Sequence, residues 1–139
     1  MKLLTREEFK ELVFKRDKNS CVECGKLAVD AHHILDRKLF VEDFEKDGYF
    51  LENGVSVCSE CHMKAETTEL SCFDLRQEAG ITNIVLPSIL NDEEGTRFDK
   101  WGNQILPSGM RLKGPMFFEE NVQKVLSDKM HLFSDYVKY

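Results

Sequence analysis

The residues with the most chemistry in them lie in one stretch, Cys58-Ser59-Glu60-Cys61-His62-Met63-Lys64-Ala65-Glu66, which carries donors for two different metal ions. A Cys-x-x-Cys spacing lets two thiolates close on one ion from a tight turn, and Cys21-Val22-Glu23-Cys24 supplies a second pair. Together Cys21, Cys24, Cys58 and Cys61 provide the four corners of a tetrahedral structural zinc site with ~2.3 Å bonds. If Ser59 caps a helix, His62 and Glu66 stand four residues apart on one face, clear of the thiolates. Two ligands for a hard or borderline cation then project together, although Glu66 also fits a solvated helix position.

Between the cysteine pairs lie Asp30-Ala31-His32-His33-Ile34 and Glu52-Asn53-Gly54-Val55-Ser56-Val57, the latter running directly into Cys58. The order Cys-x-x-Cys, His-His-Ile, Asn-Gly-Val, Cys-x-x-Cys-His resembles the HNH endonucleases, also called His-Me finger or ββα-metal nucleases, in the subset that carries a four-cysteine zinc. The resemblance covers about residues 21 to 66. It implies hydrolysis of nucleic-acid phosphodiesters, with His33 as general base, His32 and His62 as ligands of a catalytic divalent cation, and Asn53 as the brace that fixes the base. Glu66 stands where some relatives carry a third histidine. A His-His-Glu set favours Mg²⁺ or Mn²⁺ over an all-imidazole preference, with Ni²⁺ and Zn²⁺ as further occupants. The neutral imidazole, with an ordinary pKa near ~6.5, suits proton abstraction at neutral pH. Neighbouring side chains at a strand end point to different sides, so His32 and His33 are expected to divide the work, His32 on the metal and His33 on the water. The alternative is a non-catalytic zinc-binding module that docks nucleic acid or a protein partner, with His32 or His62 assisting the zinc. Asn53 beside His33 separates the two readings, because a bare knuckle needs neither base nor brace.

These residues require a positioning framework. Thr5-Arg6-Glu7-Glu8 has capping-box spacing, and Phe9, Leu12 and Val13 follow at helical intervals, predicting a helix over about 6–17 that covers the zinc knuckle. Gly25 can take the positive φ that the knuckle turn needs. Residues 27–34 read as a strand delivering both histidines, and Val55-Ser56-Val57 as its return strand. The connection between them carries turn signals at Asp47-Gly48 and Asn53-Gly54. The metal-bearing helix ends near Thr67-Thr68. A further helix starts at the Ser71 cap and stops at Gly80. Cys72, the fifth cysteine, reads as a small buried hydrophobe. Beyond residue 81, Ile84-Val85-Leu86 is expected as a strand, Asn91 to Thr96 as a loop, and Phe98 to Leu106 as a turn between two extended pieces. A last helix opens at Pro115, with Phe118, Val122, Val125 and Leu126 on one face.

The expected architecture is therefore α+β. A ββα-metal core with its knuckle and N-terminal helix spans residues 1–80, and a mixed accessory extension, residues 81–139, packs on it. Substrate contacts are expected from Arg37 and Lys38, and from Arg97, Lys100, Arg111 and Lys113 around Trp101, on which a base can stack. Core packing is the reading that Trp101 fits better, and the basic residues also fit a solvated surface. His131 reads as a surface or interface residue.

Composition bounds these readings. With 42% apolar and 32% charged residues the chain reads as soluble and globular, and it has no apolar run near the ~20 residues of a membrane helix. No secretory signal precedes the first charges, so the cytoplasm is the expected compartment. Five cysteines in a reducing compartment point to metal rather than disulfides. The net charge of −6 opposes nucleic-acid binding, but it is concentrated in residues 41–99, where fourteen acids face four bases. The expected partner is still nucleic acid, DNA before RNA, with no membrane partner. The uncapped end at Tyr136-Val137-Lys138-Tyr139 reads as a junction to a larger protein.

Overall fold

The computed structural model describes residues 1–90, 97–128 and 136–137. Helix α1 (Arg6–Arg16) begins at the expected capping box, with the Glu8 amide donating to Thr5 Oγ1 and the Thr5 amide donating to Glu8 Oε1. Each reciprocal bond satisfies an amide that the first turn leaves unpaired. The helix buries Phe9 and Val13 against strands β1 (Asp30–His33) and β2 (Gly54–Val57), rather than covering the zinc knuckle as the sequence suggested. The reason lies in Gly54, where a Cβ would stand 2.5–2.7 Å from Phe9 and Val13, so its bare backbone admits the helix. Arg16 fastens the contact by donating to the Leu51 and Gly54 carbonyls, while Asp17 accepts the Ser56 amide.

β1 and β2 pair antiparallel with His32 opposite Val55 and His33 opposite Gly54. The strand is shorter than the expected 27–34 because residues 21–27 are taken up by the knuckle, closed by a bridge between Ser20 and Leu27. The connection between the strands folds into short 3₁₀ turns over Arg37–Leu39, Asp43–Gly48 and Leu51–Asn53. Asp47 and Gly48 both take positive φ, as the Asp-Gly signal implied, whereas Gly54 is extended. Buried Glu45 accepts from the amide and hydroxyl of Ser88, tying this connection to the second half of the chain.

Helix α2 (Ser59–Glu66) follows β2, and its cap is Cys58 rather than Ser59: the Cys58 sulfur accepts the Cys61 amide. Helix α3 (Cys72–Ala79) has the expected Ser71 cap, with Asp74 completing the box, and stops at left-handed Gly80. Ile84–Leu86 forms no strand, since no described segment offers a partner for it. A three-stranded antiparallel sheet does form from β3 (Arg97–Phe98), β4 (Gln104–Ile105) and β5 (Arg111–Leu112). Strand β5 was not anticipated, although Pro107-Ser108-Gly109 carries the turn signal, with Gly109 at positive φ. Helix α4 (Glu120–Asp128) starts later than Pro115. Val122 and Leu126 are buried, but Phe118 lies outside the helix and is exposed. The expected loop at Asn91–Thr96 and His131 lie outside the described residues.

The fold is mixed α+β with two small antiparallel sheets. One apolar cluster runs from Ile34, Leu35 and Leu39 through Leu75 to Trp101, Val122, Leu126 and Tyr136, so residues before and after 80 share a core. Among the described residues no helix is long and apolar enough to cross a membrane.

Candidate metal centres

The four knuckle and helix cysteines converge. The Sγ atoms of Cys21, Cys24, Cys58 and Cys61 all lie within 4.8 Å of one another, with Cys24 and Cys58 3.6 Å apart. Tetrahedral Zn–S bonds of ~2.3 Å demand sulfur separations of about 3.8 Å, so the cluster has the dimensions of a zinc site. Turn geometry puts them there: Gly25, at φ +79°, donates its amide to the Cys21 carbonyl, and the Cys21 amide donates to Lys26. The cysteines are free thiols, three of the four buried. Burial works against ionisation of Cys21, yet backbone amides of the knuckle hold its thiol down to about 7. Burial and the neighbouring sulfurs push Cys61 upward. The four cysteines can hold a structural metal ion such as zinc, which takes cysteine as thiolate.

A second cluster stands beside it. His32 on β1 and His62 and Glu66 on α2 bring one ligand atom each within 4.8 Å of the others. Glu66 Oε1 lies 3.4 Å from His32 Nδ1 and 3.1 Å from His62 Nε2, spacings that suit ligands sharing one cation at ~2.1 Å. His62 Nδ1 faces Asp30 Oδ2 at 3.2 Å, which fixes the ring so that Nε2 is presented to the cluster. Asp30 was missed from the sequence, yet it was legible: alternation along β1 puts it on the same side as His32. Against the cost of burial, hydrogen bonds from His32 and His62 and the Lys100 ammonium hold the Glu66 carboxyl far below the usual carboxylate range.

His33 takes the other side of the strand. Its ring stacks on Phe9 at 4.7 Å between centroids and meets the edge of Tyr49 at 5.1 Å. Burial lowers its pKa to about 4, well below the ordinary imidazole value expected from sequence, so the ring is neutral at pH 7. Its Nε2 is buried without a hydrogen-bond partner among the described residues. Asn53 is fully buried and spans the loop: Oδ1 accepts the Leu35 amide, and Nδ2 donates to the carbonyls of Leu35 and Gly48. These bonds fix the chain immediately after His33. The two histidines, His62 and Glu66 line one cleft of about 260 Å³, with Arg37 and Lys100 on its walls and Arg6 and Lys10, unremarked in the sequence, at its edge.

The other expected substrate contacts divide. Arg37 is exposed beside the cleft, pairing with Asp47 and standing over Tyr49. Lys38 is exposed but pairs with Glu119, and Lys113 lies over Phe117. Arg97 covers Phe73 at the mouth of a separate apolar cavity of about 300 Å³. Trp101 takes the core position preferred for it over base stacking, and Arg111 and Lys100 depart from the expected surface contacts. Trp101 is 2% exposed and packs in the core, so it offers no face to a base. Arg111 is committed to Asp99 at 2.9 Å. Lys100 is buried and donates to Glu66 Oε2 at 2.6 Å, which makes it a neighbour of the second cluster rather than a surface contact. Compared with known proteins, the chain matches no family model, no curated relative and no solved structure.

Proposed function

We propose that this protein is a metal-dependent endonuclease of the HNH type, hydrolysing nucleic-acid phosphodiesters. The observation that carries the reading is the division of the adjacent histidines: His32 faces His62 and Glu66, while His33, packed on Phe9 and Tyr49, lines the same cleft outside that cluster. The β1–β2–α2 order around these residues supports a ββα-metal core. His32 Nδ1, His62 Nε2 and Glu66 Oε1 are the atoms suited to hold a divalent cation, Mg²⁺ or Mn²⁺ first given the carboxylate, with Ni²⁺ and Zn²⁺ also compatible. Such an ion supplies charge neutralisation at the scissile phosphate and leaving oxygen.

In this reading the neutral His33 imidazole accepts a proton from a water in the cleft as that water's oxygen bonds to phosphorus, and the bond to the leaving oxygen breaks. The stack on Phe9 and Tyr49 holds the ring in place, and Asn53 fixes the loop behind it. Arg37 on the cleft wall is placed to meet a phosphate of the bound strand. DNA is the preferred substrate over RNA in this reading.

The test is cleavage of plasmid, single-stranded DNA and RNA with Mg²⁺, Mn²⁺, Ni²⁺ or Zn²⁺, alongside His33→Ala. Metal-dependent cutting that falls ~10²–10⁴-fold in the variant is expected. No cutting of any substrate with any metal, or full activity in the variant, removes the nuclease reading and leaves a zinc-binding docking module.

A further inference from the structure

Lys100 comes from outside the β1–β2–α2 unit, 34 residues beyond Glu66 in sequence, yet its ammonium is 2.6 Å from Glu66 Oε2 and its side chain is only 7% exposed. Asp36 Oδ2 is 3.9 Å from the same nitrogen. The Asp36 amide also donates to the Lys100 carbonyl at 2.9 Å, so the residue is anchored to the core through its backbone as well. Burying a lysine is costly unless its charge is paired, and the turn that presents Lys100 is built in keeping with that demand. Asp99 accepts the amides of Trp101 and Asn103, the side-chain amide of Asn103 and the guanidinium of Arg111. Gly102 supplies a positive φ, and Asn103 donates to the Tyr136 hydroxyl. A tight turn between β3 and β4 is thus fixed by buried polar bonds with one side chain, Lys100, aimed at the second metal cluster.

We infer that Lys100 is a positioning residue of the metal centre: it engages Oε2 of Glu66, so that the carboxylate offers the cation one oxygen, Oε1, alongside His32 and His62. The division of the carboxylate is already visible, since Oε1 faces both imidazoles while Oε2 faces the ammonium. On this assignment the β3–β4–β5 sheet belongs to the centre and is not solely an accessory layer. The inference rests on the proposed reading that His32, His62 and Glu66 hold a cation, but its test does not require turnover.

The experiment uses full-length, zinc-loaded protein titrated with Co²⁺, whose d–d absorption reports the number and type of ligands. The variants are Lys100→Met, Lys100→Gln and Lys100→Arg. Expected is a Co²⁺ spectrum that changes in Lys100→Met as Glu66 becomes free to bind through both oxygens, and that returns toward the parent's in Lys100→Arg. Metal-free nucleic-acid affinity should be unchanged, while cleavage falls ~10–100-fold, the usual cost of losing a partner behind a metal ligand. Lys100→Gln answers the same question if Lys100→Met does not fold. A variant spectrum that superimposes on the parent's overturns the inference, as does loss of nucleic-acid affinity with the spectrum intact, which would place Lys100 on a phosphate. Parent protein that binds no Co²⁺ outside the cysteines overturns it as well. If the parent cuts nothing but the spectra differ as expected, the nuclease reading fails and the assignment of Lys100 stands. If the parent cuts and the spectra coincide, the reverse holds.

Discussion

Adjacent residues on β1 and on α2 face different surroundings. His32 and His33 are separated by the alternation of the strand, Cys61 and His62 by the ~100° step of the helix. Each pair can therefore be dissected by single substitutions. His33→Ala is expected to keep cation binding while losing cleavage, whereas His32→Ala and His62→Ala should weaken cation affinity and leave the cysteine site intact. Calorimetric titration with Mn²⁺ on the three variants checks this, and a His33→Ala protein that loses the cation while His32→Ala keeps it reverses the roles. Cys72 differs from the other four cysteines. It donates to the Ile34 carbonyl, and burial pushes its thiol up to about 12. Iodoacetamide at neutral pH is expected to leave Cys72 unmodified until the protein unfolds, and mass-spectrometric detection of its adduct in native protein would refute that. The convergence of the four cysteines, and of His62 with Glu66, was legible in their local spacing, whereas His33 and Asn53 stood out only through the family resemblance. The Lys100–Glu66 pair was not, since no periodicity links residues so far apart.

At the scale of elements, capping chemistry was the most legible feature: Thr5 with Glu8, Ser71 with Asp74, and Gly80 each mark a helix end where the sequence put it. The start of α2 was misread because a cysteine sulfur, ordinarily a poor cap, is held in the capping position within the cysteine cluster. The two-residue strands around Lys100 were hard to read for the opposite reason: they depend on the buried Asp99 bonds rather than on pattern. The seat of α1 on β2 gives an element-level prediction. Gly54 is extended, so alanine costs nothing in backbone conformation there, and any loss comes from displacing Phe9 and Val13. Gly54→Ala is expected to destabilise the fold by ~1–3 kcal/mol, the usual range for overpacking, read by urea unfolding. An unchanged midpoint would mean that α1 does not bear on the ribbon as closely as described.

At the scale of the whole molecule, the four-cysteine cluster and the shared core each carry an expectation. Structural zinc contributes ~10–16 kcal/mol in small modules, against ~5–15 kcal/mol for the net stability of a domain. Chelation, or Cys58→Ser, is therefore expected to abolish the cooperative thermal transition, and a Cys58→Ser protein melting like the parent would exclude a structural metal at the cysteines. The shared core makes a second demand: a chain cut after Gly80 exposes the faces of Ile34, Leu39 and Leu75 that the later residues help cover. Such a fragment is expected to take up zinc but to melt without a sharp transition by circular dichroism. The sequence put a boundary at residue 80 because the ligand motifs end before it, whereas apolar contacts carry no such punctuation. Chain order also imposes an order in time. A ribosome releases the cysteines, both clustered histidines and Glu66 well before Lys100, and the Asn103–Tyr136 bond that secures the turn comes later still. A nascent chain thus exposes the candidate donors while the Glu66 carboxylate still lacks the Lys100 ammonium, and the cluster reaches its final charge and geometry only late in synthesis.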